Sequence, residues 1–352
     1  MKQLACTCGT GASRRGFLSG LGALGAAVLL PGCQGTGAAL ATAKPHRIDI
    51  HHHVIPPVYA AELARLGAGP VPKWSPQMSL DDMDANGIAT SVLSLMNPGT
   101  SFNQIETDRR LARDANEYAA RMAHDFPGRF GSFAQLPLLD VEGSLREIEY
   151  ALDTLKADGI GVMTSYNNKY LGERQFWPIW QELNRRKAVV YTHPLLSACC
   201  RNPFEWLLPS AIEFSTDTTR TIASMLFTGT ANRFQDIRWI WSHSGGTMPF
   251  LWSRFTRQET VMQDKAKLVL PDGVLAEVKR FYYDTAQAHH EGAMAALRAL
   301  IPTSQIMFGS DFPFRKSEDA RIGLGQRSFT SAEREAIDRG NALRIMPALR
   351  TV

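Results

Sequence analysis

Five side chains placed at the ends of short apolar runs could together hold a cation. The most informative stretch is Ile48-Asp49-Ile50-His51-His52-His53. Side chains alternate along a strand, so His51 and His53 share one face and His52 points to the other. Two imidazoles at i and i+2 can grip one ion together. Three further candidates end similar runs. His193 closes Val189-Val190-Tyr191-Thr192-His193-Pro194, His243 closes Ile240-Trp241-Ser242-His243-Ser244-Gly245-Gly246, and Asp311 follows Met307-Phe308-Gly309-Ser310. Several imidazoles and a carboxylate are costly to bury without a partner, and a metal ion is such a partner. Three imidazoles and one carboxylate make a donor set of borderline hardness, suited to Zn2+ and acceptable to Mn2+. With one position open, such an ion lowers the pKa of bound water from about 15.7 to about 7, or clamps a substrate oxygen.

For these residues to meet, the runs that carry them must be strands of one sheet. The sequence predicts strands at Arg47–His51, Thr90–Leu95, Phe130–Leu136, Gly159–Ser165, Ala188–His193, Ile237–His243, Phe281–Thr285 and Gln305–Ser310. Helical periodicity fills the gaps at Asp108–Asp125, Val141–Ala157, Gln175–Arg186, Thr218–Asn232 and His290–Leu300. Asp108 and Asp140 are the expected helix N-caps. Eight strands alternating with helices over about 300 residues predict an α/β fold, a (β/α)8 TIM barrel of the metal-dependent hydrolase type with inserted loops at its C-terminal rim. All five candidates would then converge on that rim, where barrel active sites lie. A doubly wound sheet is the runner-up, weakened because no Gly-x-Gly-x-x-Gly follows an early strand. Lys73–Met83 and Cys199–Ser215 read as long loops that shape a pocket.

Composition is that of a globular chain: 352 residues, 44% hydrophobic and 20% charged, with a formal charge of +4. The basic excess is local. Residues 1–43 contain Lys2, Arg14 and Arg15 and no acid; with those three removed from the 38 basic residues, the remaining 35 face 34 acidic ones. So balanced a body offers no electrostatic footprint for nucleic acid or an anionic membrane, which leaves small molecules as partners. The N-terminal stretch reads as an address. Arg14-Arg15 stands ahead of the weakly apolar Leu21–Leu30, which resembles a twin-arginine export signal and is too short to span a bilayer. Ala41-Thr42-Ala43 offers a cleavage site before Lys44, so residues 1–43 are expected to be a signal region and 44–352 the barrel domain. Soluble export to the periplasm or beyond ranks first, and a lipid anchor at Cys33 second.

The motifs Asp-x-His-x-His, Thr-His-Pro, Ser-His-x-Gly-Gly and Gly-Ser-Asp-Phe-Pro-Phe span Arg47 to Phe314. Through them the chain resembles the amidohydrolase superfamily, in its amidohydrolase-related, metal-dependent decarboxylase branch. That branch includes aminocarboxymuconate semialdehyde decarboxylase and resorcylate-type decarboxylases. Tyr282-Tyr283-Asp284-Thr285 and Gly309-to-Phe314 are similar in particular to 6-methylsalicylate decarboxylase-type proteins. The resemblance implies that His51, His53, His193 and Asp311 bind one divalent ion, zinc or manganese. It makes His243 the catalytic histidine, with which Asp311 is expected to share the proton delivered to the substrate, and makes Arg254, eleven residues after His243, an arginine that reaches a neighbouring subunit's site to grip a substrate carboxylate. A homodimer or higher homo-oligomer follows. Binuclear members of the superfamily carry a lysine at the end of the fourth strand; here Val162-Met163-Thr164-Ser165-Tyr166-Asn167-Asn168 has none, which argues against a second metal.

Beside this resemblance, Asp284 ends a strand and could orient a ligand histidine. Phe312 and Phe314 could wall a pocket and stack on an aromatic substrate. His52 is expected to be a packed or hydrogen-bonded wall residue. The expected activity is non-oxidative decarboxylation of a small aromatic or unsaturated carboxylic acid, such as a salicylate. Metal-dependent hydrolysis of a lactone or amide by the same site is the alternative. No Gly-x-Ser-x-Gly elbow supports a serine hydrolase.

Overall fold

The structure, a computed structural model, describes residues 46–67, 71–196 and 206–350. The expected export signal, its cleavage site and Cys33 lie outside the described residues. Eight parallel strands follow one another around a barrel: β1 Arg47–Val54, β2 Ile88–Leu95, β3 Phe130–Gln135, β4 Gly159–Met163, β5 Val189–His193, β6 Arg238–Trp241, β7 Tyr282–Asp284 and β8 Ile306–Met307. Each pairs with its sequence neighbour, as the alternation of strands and helices requires. The circle closes outside a regular ladder, through Ile50 N to Phe308 O at 3.0 Å, Asp311 N to His51 O at 2.9 Å and His53 N to Phe312 O at 2.8 Å. This is the expected (β/α)8 TIM barrel.

Inside the barrel floor, Ile48, Ile50, Val92, Phe133, Tyr191 and Ile240 pack together, and the C-terminal segment plugs them from below with Ala342, Ile345 and Met346. Phe133 and Tyr191 stack with ring centroids 4.9 Å apart. β1 slips register against β2 between Asp49 and His52. Ile48 and Ile50 can therefore fill the floor while His51 and His53, on the next rung, stand above it. A second, larger apolar layer lies between strands and helices, with Trp180, Trp239 and Trp241 fully buried there.

Several expected boundaries move. The expected loop Lys73–Met83 is largely a helix, Pro76–Asn86, begun by Ser75, whose hydroxyl accepts from Met78 N at 3.2 Å, and by Pro76 in the first turn. Asp108 is not an N-cap: its helix starts at Ile105, and its carboxylate instead accepts Phe102 N at 3.0 Å and Gln104 N at 3.3 Å, tying down the loop before the helix. Asp140 does occupy an N-cap position, but its carboxylate pairs with Arg109 rather than capping the helix. The helix expected at Val141–Ala157 ends at Glu149 and continues as a π turn, Tyr150–Thr154. The helix after β5 starts earlier than expected, at Glu213, so only part of the second expected loop is loop; its residues 199–205 lie outside the described ones.

At the barrel bottom, Asp158 accepts Ser132 N at 2.9 Å, and burial pushes its carboxyl up to about 6. A raised carboxyl pKa means the folded state keeps its proton longer than the unfolded chain. The stabilisation is complete below the unfolded value near 4 and is lost as pH rises to about 6, worth roughly 2 kcal/mol after allowance for partial exposure. Asp158→Asn should flatten this part of the pH dependence while retaining the acceptor for Ser132, a difference read by denaturant unfolding of both proteins at pH 4 and pH 7.

Candidate metal centre

The strand-end residues do converge. His51 and His53 present their Nε2 atoms 3.3 Å apart, with rings nearly perpendicular. The His193 ring lies 4.7 Å from that of His53 and 5.3 Å from that of His51. Asp311 sets Oδ1 3.1 Å from His53 Nε2 and 3.2 Å from His51 Nε2, and sets Oδ2 3.5 Å from His243 Nε2. All five side chains are buried. One donor atom each from His51, His193, His243 and Asp311 falls within 4.8 Å of the other three, a group that could hold a metal ion. His53 Nε2 faces the same carboxylate oxygen as His51, so the structure brings together both the four expected ligands and the expected catalytic histidine.

Hydrogen bonding on the outer nitrogens selects the tautomers. His51 donates Nδ1–H to Asp284 Oδ2 at 2.8 Å and His193 donates Nδ1–H to the Pro194 carbonyl at 3.0 Å, which turns both Nε2 atoms toward the cluster. The Nδ1 atoms of His53 and His243 are buried without a partner. Burial pushes His53 down and, joined by the neighbouring imidazoles, holds His193 well below the ordinary histidine value, so both are neutral. Burial also opposes charge on His51, but Asp284 and Asp311 outweigh it and raise its pKa to about 10. Burial likewise opposes charge on Asp311, yet His51 and the hydrogen bonds from His243, His51 and His53 keep its carboxyl well below the usual carboxylate range. Neutral imidazoles and an ionised carboxylate around one point fit a divalent ion.

Local backbone, rather than regular strand, aims two of these groups. β6 stops at Trp241, short of the expected His243, because His243 and Ser244 turn into the left-handed region at φ 50° and 57°. Gly246 follows at φ 66°, where a Cβ would stand 2.1 Å from Ser215 O. β8 likewise ends at Met307, and Asp311 sits at φ 69°. Gly309 permits that approach, since a Cβ there would lie 2.9 Å from His51 Cβ.

Asp284 does more than the expected orientation of one histidine. Its Oδ2 takes His51 and a long 3.5 Å contact from Tyr191 Oη, while Oδ1 accepts His243 N and Ala286 N, each at 2.9 Å. Asp49, written in the motif but given no role by the sequence reading, is a second such brace. Its Oδ1 accepts His51 N at 3.1 Å and Ser310 N at 3.0 Å, and its Oδ2 takes the Ser310 hydroxyl. The available signal was a carboxylate two residues before His51, on a strand whose neighbours are apolar. Gln287, whose Nε2 donates to Asp311 Oδ2, carried no motif at all. His52 is the expected wall residue: it bonds Asp49 and Ser79 and stacks on Phe312 at 4.9 Å. Phe314 is 46% exposed and sets its ring edge-on to His53 at 5.4 Å, while Phe312 is buried. Arg254 lies exposed on the helix Trp252–Met262 and bonds no member of the cluster among the described residues. Beside His243 opens a cavity of about 350 Å3 whose lining includes Ser210, Phe214, Thr247, Gln287 and Ala288.

Comparison with known proteins points the same way. The sequence pattern of the amidohydrolase family matches residues 48–347. The chain is 35% identical over 327 residues to the decarboxylase macB of Penicillium terrestre, covering 87% of this chain and 96% of that protein. It is 32% identical over 318 residues to a 6-methylsalicylic acid decarboxylase of Penicillium expansum, covering 87% and 98%. Its fold is similar, with a TM-score of 0.73, to a dihydroxybenzoic acid decarboxylase of Polaromonas sp. JS666 solved with bound manganese and the inhibitor 2-nitroresorcinol; identity is 23%, with 87% of this chain and 98% of that chain covered.

Because Asp284 fixes both the tautomer of His51 and the backbone of His243, Asp284→Asn should weaken binding of added Zn2+ or Mn2+ by about 10- to 100-fold. Competition against a chromophoric chelator measures this, and unchanged affinity would remove Asp284 from the centre.

Proposed function

The chain belongs to the amidohydrolase family, and from that membership we propose that it is a metal-dependent, non-oxidative decarboxylase of a small aromatic or unsaturated carboxylic acid, with salicylate-type acids as the first substrate class. The observation that carries the reading is the division of one buried carboxylate: Asp311 turns Oδ1 to the imidazoles of His51 and His53 and Oδ2 to His243. One oxygen can serve a cation while the other handles a proton.

A single divalent ion held by His51, His53, His193 and Asp311, Zn2+ or Mn2+, would supply Lewis acidity toward the carboxylate and the adjacent phenolate of the acid. Asp311 Oδ2 and His243 Nε2 share the proton to be delivered to the ring carbon that bears the carboxylate. A ring π pair forms the new C–H bond, which interrupts aromaticity. The electron pair of the C–C bond then returns to the ring, CO2 departs, and aromaticity is restored. His243 suits this role because its Nδ1 is buried without a partner, so its exchange of protons runs through Nε2. Phe314 supplies the rim on which an aromatic acid stacks. Arg254 belongs to the site of a second subunit, where it grips a carboxylate, so the working form is a homodimer or larger.

The direct test is CO2 release from a panel of hydroxybenzoates by metal-loaded protein, run beside acid release from lactones and amides. Hydrolysis without CO2 would reverse the reading. His243→Ala should cut decarboxylation by two to four orders of magnitude, the range expected for loss of an acid–base group, while the protein keeps its metal. Loss of the ion would instead make His243 a ligand. Arg254→Ala should raise KM in a protein that sediments as a dimer or larger; a wild-type monomer with full activity would exclude the shared site.

A further inference from the structure

We propose that Gln287 is a positioning residue for Asp311: its amide sets which carboxylate oxygen faces His51 and His53 and which faces His243. The inference deepens the reading above, since it concerns how the two oxygens of Asp311 are kept to separate tasks.

A carboxylate can only accept, so the Gln287 amide must present its N–H, and it donates to Oδ2. Oδ1 is held on its side by His51 and His53 at 3.2 and 3.1 Å. On the other side His243 stands at 3.5 Å, at the outer limit of a hydrogen bond and a weak anchor for a rotating group. Without the amide, the carboxylate could turn about its Cβ–Cγ bond and present both oxygens to the imidazoles. Gln287 supplies the missing contact.

The backbone supports this reading. Gln287 sits at φ 52°, a region that L side chains avoid. His243 at 50° and Asp311 at 69° share it, so three non-glycine residues in unfavourable backbone meet on one carboxylate. Strain of this kind persists where surrounding structure fixes it. Here Ala286 N bonds Asp284 Oδ1 at 2.9 Å and Ala288 N bonds Thr285 O at 3.1 Å, so the turn carrying Gln287 is held by the same Asp284 that orients His51. An exposed glutamine has no need of this turn for solvation. Gln287 also stands between the cavity beside His243 and a second cavity of about 470 Å3 lined by His289, Arg315 and Arg327, so a substrate contact is the rival role.

Gln287→Leu removes the donor and keeps the bulk. Gln287→Asn keeps an amide and a side chain at ease in the left-handed region, but falls one methylene short. Crystal structures of both variants without metal should show the Asp311 carboxylate rotated or in two orientations. With whichever substrate the wild type turns over, kcat should fall at least tenfold while KM stays within about threefold. An unmoved Asp311 with kcat within twofold of wild type overturns the proposal, and so does a raised KM with unchanged kcat, which would make Gln287 a substrate contact. Failure of every carboxylic acid as a substrate would defeat the decarboxylase reading alone, because the orientation of Asp311 is read without turnover.

Discussion

Two imidazole nitrogens stand 3.3 Å apart at the barrel mouth, with an ionised carboxylate against both. Lone pairs at that distance repel, and burial removes the water that would screen them. A hydrogen between the two nitrogens, or a cation, makes the arrangement favourable. A proton on one nitrogen can serve as that bridge, and a divalent ion held there, as proposed above, would draw on all the donors at once. Everything else about the barrel rim serves to keep these groups from relaxing apart.

The restraint is applied from outside the cluster. Asp49 joins Ser310, in the segment after β8, to the first histidine of β1, and so does at the seam of the barrel what ladder pairing does elsewhere. Asp284 does the same between β1 and the turn after β6. Both carboxylates are fully buried and each makes several charge-assisted hydrogen bonds, which is the condition under which buried charge is tolerated. The floor of apolar side chains beneath, with Tyr191 5.5 Å under His51, fixes the height of the site.

The barrel and its metal-binding end were legible because they rest on period and position. Eight apolar runs separated by helical segments admit few topologies, and polar residues at the ends of such runs have one common rim to occupy. The i, i+2 spacing of His51 and His53 brings their Nε2 atoms together despite the register slip between Asp49 and His52. What escaped the reading depends on backbone torsions and on partners hundreds of residues away. Nothing local marks His243, Gln287 and Asp311 as left-handed, because none is glycine. Asp49 was visible as a letter in a motif, but its bonds to Ser310 need the closed barrel to be seen. The helix at Pro76–Asn86 was missed for a different reason: its Ser-Pro start was legible, but its weak apolar periodicity reads as loop.

The distribution of charge around the cavity bears on how a carboxylic acid would be held and released. Among the described residues that line the space beside His243 there is neither lysine nor arginine; the walls are small, aromatic or polar, with the imidazole of His290 among them. An anion entering this space finds its attraction at the floor, where the cation site lies, and not along the sides. The decarboxylation proposed above would consume that anion together with a proton and leave carbon dioxide and an uncharged ring, which removes the charge that the floor attracts. Basic walls would hold the acid through groups remote from the reacting carbon, in the ground state and the transition state alike, and uniform binding of that kind does not speed the chemical step. Walls without lysine or arginine would instead tie retention to the carboxylate that the proposed reaction removes.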